Sequence, residues 1–296
     1  MKSAERQMSI SIIIPTLNAE AYIERLIRAL LEQTVVPDEI IVVDSESEDN
    51  TAKIAAGLPR VHLMPIRRKE FDHGGTRDMA LRASRGEFVL FMTQDALPVD
   101  AHYIEHLVAP FADERVAAVG GRQVAYPDAR PFEKAVRRYN YSAEERVWDA
   151  EDIERLGVRA FLISDVCAAY RRSAYLETGG FDHPILTNED MLMAERLLHA
   201  GYKLAYCGRA AVYHSHRFTL RQDYQRNLIV GRTMKRYEQR FEYVKETGEG
   251  IGLARTVLMQ LIREGELVEC VCFAASCAAR LLGNRVGRYL EGREHG

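Results

Sequence analysis

Two continuous apolar runs separated by one amphipathic stretch open the chain, and no other feature narrows its fold as sharply. Ser9 to Pro15 is β-branched and apolar and runs into Pro-Thr-x-Asn, the pattern of a buried strand that ends in a loop. From Glu20 to Gln33 the apolar residues Ile23, Leu26, Ile27, Leu30 and Leu31 share a helical face, and after Pro37 the run Glu39 to Asp44 is a second buried strand. Strands without polar alternation are covered on both faces, as parallel strands joined by helical crossovers are. The spacing predicts an open α/β sheet, with functional residues on the loops at the carboxyl ends of its strands.

The alternation continues. Thr51 to Ala56 and Thr76 to Ser84 are predicted helices, and Val61 to Pro65 and Phe88 to Met92 are predicted strands. Further on the pattern predicts a strand at Val116 to Tyr126, a helix at Phe132 to Val147, a strand at Phe161 to Tyr170, a helix opened by Thr187-Asn188-Glu189-Asp190, and a last strand at Leu204 to His214. Sheet-like sequence ends near His216. From Arg217 to Lys245 eight basic residues face three acids and are interleaved with aromatics, and the tail beyond Gly248 to Gly252 carries an apolar run, Leu267 to Leu282, broken by Glu269 and Arg280. The tail is predicted to dock on its own domain, on another subunit of a homo-oligomer or on a membrane surface.

Composition excludes several classes. With 40 Lys plus Arg against 43 Asp plus Glu, the net charge of −3 gives no global drive towards nucleic acid. Five cysteines, an odd number in a chain long enough to fold on its core, are expected as reduced thiols in a cytoplasmic protein. The start, MKSAERQMSISIIIP, lacks a secretory h-region, and no uninterrupted apolar stretch reaches the roughly 20 residues of a spanning helix. An integral polytopic protein is not expected.

Four places carry chemistry. Asp44 ends the second predicted strand and leads into Ser-Glu-Ser-Glu-Asp49, where a carboxylate can accept from ribose hydroxyls or a base imide; Asp49 serves equally well as a helix cap. In Phe71-Asp72-His73-Gly74-Gly75-Thr76-Arg77, two glycines at a helix start let backbone amides approach an anion, and Arg77 offers a guanidinium fork. Thr93-Gln94-Asp95 follows a strand, where Asp95 can hold a divalent cation against a diphosphate, and His214 and His216, two apart, point to one side and can complete that site. Glu189 and Asp190 occupy a helix's first turn, where an ionised carboxylate can take a proton from a hydroxyl.

Together these stretches resemble the inverting glycosyltransferases of family 2, with their GT-A fold, and within them the rhamnosyltransferase-like branch. The resemblance rests on Ser11 to Asn18, Pro37 to Asp49, Phe71 to Arg77, Phe91 to Asp95, Gly179 to Asp182, Asn188 to Asp190 and Val212 to His216. It implies a Rossmann-like α/β fold with a mainly parallel mixed sheet at residues 1–216, nucleotide-sugar binding in about 1–119, acceptor binding and catalysis in 120–216, and a helical extension at 217–296. It further implies that Pro15, Thr16, Asn18 and Asp44 line the base and ribose pocket, with Ser45, Asp72, Gly74, Gly75, Arg77, Gln94 and Asp95 as further nucleotide-sugar contacts. Asp95, with His214 and His216, would hold Mg2+ or Mn2+, and Asp190, assisted by Glu189, would be the base.

The chain departs from the family pattern in two places: Thr93 stands where a first metal-binding acid is common, and Ser45 where a second acid usually follows Asp44. The implied activity is inverting transfer of a sugar, with dTDP-L-rhamnose as favoured donor, to a glycan or lipid-linked acceptor in cell-surface polysaccharide synthesis, at the cytoplasmic face of the membrane. The competitors are a transferase of another hexose and a noncatalytic sugar-nucleotide-binding assembly partner. A nucleotidyltransferase is disfavoured, because Pro15-Thr-Leu-Asn18 stands where its glycine-rich basic loop belongs.

Overall fold

The computed structural model describes residues 8–244 and 248–295; the MKSAERQ start and Lys245 of the basic segment lie outside them. Nine strands form one sheet: β1 (Ile10–Thr16), β2 (Glu39–Asp44), β3 (Val61–Pro65), β4 (Phe88–Met92), β5 (Leu97–Pro98), β6 (Val116–Val124), β7 (Arg146–Trp148), β8 (Cys167–Arg171) and β9 (Lys203–Tyr213). Their order is β3-β2-β1-β4-β8-β6-β9-β5, with β7 on β9. The half from β3 to β4 is parallel, as the apolar runs require. Beyond it β8 runs antiparallel to both β4 and β6, and parallel pairing returns between β6 and β9.

Helices α1 (Ile23–Leu31), α2 (Thr51–Ala56), α3 (His73–Ala83), α4 (Tyr103–Val108), α5 (Pro131–Asn140), α6 (Ile153–Leu156), α7 (Arg172–Glu177) and α8 (Glu189–His199) accompany the sheet. Alternate residues of β1 separate its two faces: Ile12 and Ile14 pack with α1 and α4, while Ile13 packs with residues of α3, α7 and α8. Each face thus has its own apolar layer, and the sheet is the middle of three.

Helices α9 (Leu220–Arg236), α10 (Glu249–Arg263) and α11 (Leu267–His295) follow β9. A Thr219 capping box starts α9. The α9 and α11 backbones meet closely: a methyl group at Gly283 or Gly287 would collide with the carbonyl oxygen of Tyr224 or Leu228. Buried carboxylates fasten the pair. Asp223 accepts from Ser276 at 2.6 Å and Arg280 at 2.9 Å, and Glu291 accepts from Arg232 at 2.9 Å and Arg236 at 2.7 Å. A third apolar cluster, including Phe132, Val257, Leu261 and Phe273, ties α5, α10 and α11 together.

Three expected elements differ. The helix predicted to Val147 stops at Asn140, and Arg146–Trp148 instead forms an edge strand on β9 whose Trp148 indole donates to the Ala160 carbonyl at 2.9 Å. The strand predicted over Phe161 to Tyr170 begins only at Cys167, because the Cys167 amide turns back onto the Ser164 carbonyl. The helix containing Arg77 starts three residues early, at His73, since Asp72 caps it.

Candidate active site

A cavity of about 640 Å³ opens beyond the carboxyl end of β4 and is lined by Arg77, Gln94, Asp95, Glu189, Asp190, His214 and His216 among others. It therefore unites the loop after β4, the first turn of α8 and the segment after β9. Pro15, Thr16, Asn18, Asp44, Ser45, Asp72, Gly74 and Gly75 lie outside its walls.

The first five of these residues sit together at the ends of β1 and β2. Asp44 is buried, accepting from Thr16 at 3.1 Å and from the Ser47 hydroxyl and amide at 2.6 and 3.0 Å. Asn18 takes a left-handed φ of 50° and accepts from the Glu48 amide at 2.9 Å, clasping one loop to the other. Among the described residues the buried Ser45 hydroxyl has no hydrogen-bond partner. Gln94 joins this corner to the cavity, accepting from the Leu17 amide at 2.9 Å and donating to its carbonyl at 3.2 Å.

The glycine-pair segment has another physical explanation than the anion cradle expected from sequence. Both Asp72 carboxylate oxygens are taken within the chain, by the Gly75 amide at 2.6 Å and the Ile185 amide at 2.7 Å. Gly74 has no room for a Cβ beside the Asp182 carbonyl, so it permits a close crossing of two chain segments. Arg77 is likewise turned inward rather than offered as an open fork. Only 4% exposed, it lies 3.3 Å from Glu189 and 3.8 Å from Asp165, and it donates to the His73 carbonyl at 3.1 Å.

Arg77 thus sits among three acids, of which Asp165 was not singled out in the sequence. An acid interrupting the apolar run Phe161 to Tyr170 was its one available signal. Asp165 is 3% exposed, and one oxygen accepts from the Tyr170 hydroxyl at 2.9 Å while the other has no hydrogen-bond partner among the described residues. Burial, reinforced by Asp190, pushes its pKa well up. Asp190 accepts from the Met191 amide at 2.8 Å and the Asp165 amide at 3.3 Å. Burial and then Glu189 raise it to about 7. Burial and mutual repulsion together hold the neighbouring Asp165 and Asp190 carboxyls above their usual range, with Arg77 opposing the shift in both.

Asp95, His214 and His216 converge across the cavity. An Asp95 oxygen lies 3.6 Å from His214 Nε2 and 3.5 Å from His216 Nδ1, and the three candidate ligand atoms fall within 4.8 Å of one another. His214 Nδ1 lies 2.9 Å from the Gln123 side-chain oxygen, and its Nε2 faces Asp95. Burial and then Arg137 lower the His214 pKa well below its usual value, keeping the ring neutral, as ligation requires. This donor set fits a divalent cation.

Residues 11–179 match the profile of glycosyl transferase family 2. The chain belongs to that family. This family 2 glycosyltransferase, an enzyme that uses nucleotide-sugars, is 41% identical over 225 residues to the O-antigen chain rhamnosyltransferase RfbN of Salmonella typhimurium, spanning 76% of this chain and 72% of the relative. It is equally identical, over 225 residues, to the O-antigen chain rhamnosyltransferase WbaN of Salmonella anatum, spanning 75% and 71%. The glycosyltransferase's fold is similar to that of the mannosyltransferase PcManGT of Pyrobaculum calidifontis, solved with GDP-Man and Mn2+, with a TM-score of 0.66 at 18% identity over 99% of this chain and 89% of that one. It also resembles residues 1–349 of S. aureus TarS, solved with UDP-GlcNAc, with a TM-score of 0.59 at 16% identity over 97% and 92%. These likenesses establish the GT-A fold, with a helical extension at the C-terminal end of this chain.

Proposed function

We propose that this chain transfers L-rhamnose from dTDP-L-rhamnose, with inversion, to a hydroxyl of a glycan or lipid-linked glycan in cell-surface polysaccharide synthesis. The sugar is drawn from the two rhamnosyltransferase relatives, each covered over more than two thirds of its length. The observation that carries the chemistry is the single cavity shared by Asp190 and the Asp95–His214–His216 cluster.

In this reading the corner formed by Pro15, Thr16, Asn18, Asp44 and Ser45 holds the base and ribose, and Gln94 keeps that corner in register with Asp95. Asp95, His214 and His216 hold the divalent cation. Two imidazoles beside one carboxylate favour Mn2+ over the strictly oxygen-preferring Mg2+. When bound, the cation supplies positive charge against the departing diphosphate.

Asp190 accepts the acceptor hydroxyl's proton as its oxygen attacks the anomeric carbon from the face opposite the nucleotide, and the nucleoside diphosphate leaves. Glu189, paired with Arg77, keeps the guanidinium in place and raises the basicity of Asp190. Asp72, Gly74 and Gly75 shape the start of α3, which carries Arg77 to the cavity wall.

The same reading divides the chain at about residue 216 into a transferase unit and an extension. It assigns the exposed apolar face of α11 to peripheral contact with the cytoplasmic membrane face, where a lipid-linked acceptor resides. Incubating the purified protein with dTDP-L-rhamnose, UDP-glucose, UDP-N-acetylglucosamine and GDP-mannose, with and without Mn2+, tests it through release of nucleoside diphosphate. Release confined to dTDP-L-rhamnose and dependent on Mn2+ is expected. Release from another donor would replace rhamnose, and release from none would point to the noncatalytic alternative.

A further inference from the structure

Beside the catalytic cavity lies a second one of about 490 Å³, sharing His214 and His216 with it and walled by α5, α9 and α11. Three guanidiniums, those of Arg137, Arg226 and Arg280, line this chamber. Two are already committed within the protein. Arg137 lies 3.3 Å from His214 Nδ1 and donates to Gln123, and Arg280 donates to the buried Asp223 at 2.9 Å.

Arg226 is different. Among the described residues it makes no ion pair or hydrogen bond. Its guanidinium lies over the Phe218 ring, 4.7 Å from the centroid, and Phe218 in turn stacks on His216 with centroids 4.8 Å apart. One aromatic ring therefore separates a fixed cation from the Asp95–His214–His216 cluster, and Arg226 faces both cavities. A guanidinium held this way feels the carboxylates of Asp223 and Asp95 only from a distance, has the positive charges of Arg280 and Arg137 beside it, and has no directly bonded anion among the described residues. Its planar fork matches the oxygens of a phosphate.

We propose that Arg226, supplied by α9 from beyond the sheet, binds a diphosphate at the mouth of the cavity beside Asp95, so that the C-terminal extension completes the site. The proposal rests on the nucleotide-sugar reading above, in which that diphosphate belongs to the donor. A lipid diphosphate on the acceptor has the same chemistry, and the test separates the two. Lysine at this position would keep the charge and lose the fork, whereas glutamine would lose both.

Titration calorimetry of the full chain, with Mn2+ present, should follow dTDP and, separately, farnesyl diphosphate binding to the wild type, Arg226→Gln and Arg226→Lys. Matching thermal unfolding midpoints would show that the partly exposed position tolerates both changes. Loss of a charge-assisted contact predicts roughly 10- to 100-fold weaker dTDP binding in Arg226→Gln, with a smaller loss in Arg226→Lys. A loss confined to farnesyl diphosphate would support the anion site and assign it to the acceptor. Unchanged affinity of Arg226→Gln for both ligands, alongside tight wild-type binding of dTDP, would overturn the proposal and leave the nucleotide-sugar reading standing. Wild-type protein that binds neither ligand would overturn both.

Discussion

A carboxylate that must take a proton from an alcohol near neutral pH works best when its own pKa lies near that pH. Asp190 reaches about 7 through burial and the adjacent Glu189, although two backbone amides hold it down. The rate should accordingly fall on the acid side with a midpoint near 7, as Asp190 becomes protonated, and Asp190→Asn should abolish that limb along with most of the activity. A kcat/KM profile from pH 5 to 9 checks this; a wild-type profile that is flat between 6 and 8 would contradict it. Stability carries the opposite sign. The folded state raises this acid above its unfolded value of about 4, so Asp190's contribution to stability is fully present below about pH 4 and is lost as pH rises through about 7. Asp190→Asn removes that loss. Its unfolding midpoint should gain on the wild type by a few degrees at pH 8 and by less at pH 5, and equal differences at both pH values would count against the buried charge.

Elements with a clear period were legible, and those shaped by a single polar demand were not. The apolar runs of β1, β2 and β4 and the amphipathic α1 identified the parallel half of the sheet, because burial on both faces leaves no other pattern. The segment before β8 was read as strand because it is apolar, yet its task is to bring Asp165 under Asp190, which no period announces. In the same way Asp95, His214 and His216 could be picked out as ligand types, whereas the orienting Gln123 lies 91 residues from His214 and only the fold pairs them. Gly74 was noticed for the wrong physical reason: its missing side chain makes room for the Asp182 carbonyl. The glycines between α9 and α11 do comparable work, and Gly287→Leu should force the helices apart at a cost of about 1–3 kcal/mol or more. Limited proteolysis should then cut faster within the extension while residues of the sheet remain protected; unchanged cleavage there would show that the two helices are not held by this contact.

The whole molecule presents two unlike surfaces, the polar mouth of the cavity and an apolar outer face on its last helix. Leu267, Val268 and Val271, each at least 66% exposed, continue on one side of α11 with the exposed Leu281 and Leu282, opposite the side packed on α9. By length and composition α11 is also, among the described residues, the one helix able to cross a membrane, an outcome the interrupted apolar run in the sequence did not suggest. Its inward face, occupied by α9 and by the buried Glu291 and Ser276, instead fits a helix lying against the protein with its other side free for a membrane surface. Replacing Val271 and Leu282 together by aspartate should reduce co-sedimentation with anionic liposomes several-fold without lowering the unfolding midpoint, and sedimentation equal to wild type would exclude this face as the contact.

Catalysis at the shared cavity is tested most directly by single-turnover release of nucleoside diphosphate from the active donor in the presence of acceptor, comparing wild type with Asp190→Asn and titrating donor binding in parallel. The geometry predicts a rate at least about 10²-fold lower in the variant with donor affinity changed little. A variant that binds donor normally and turns it over at close to the wild-type rate would remove Asp190 from the chemistry, and with it the function assigned to this cavity.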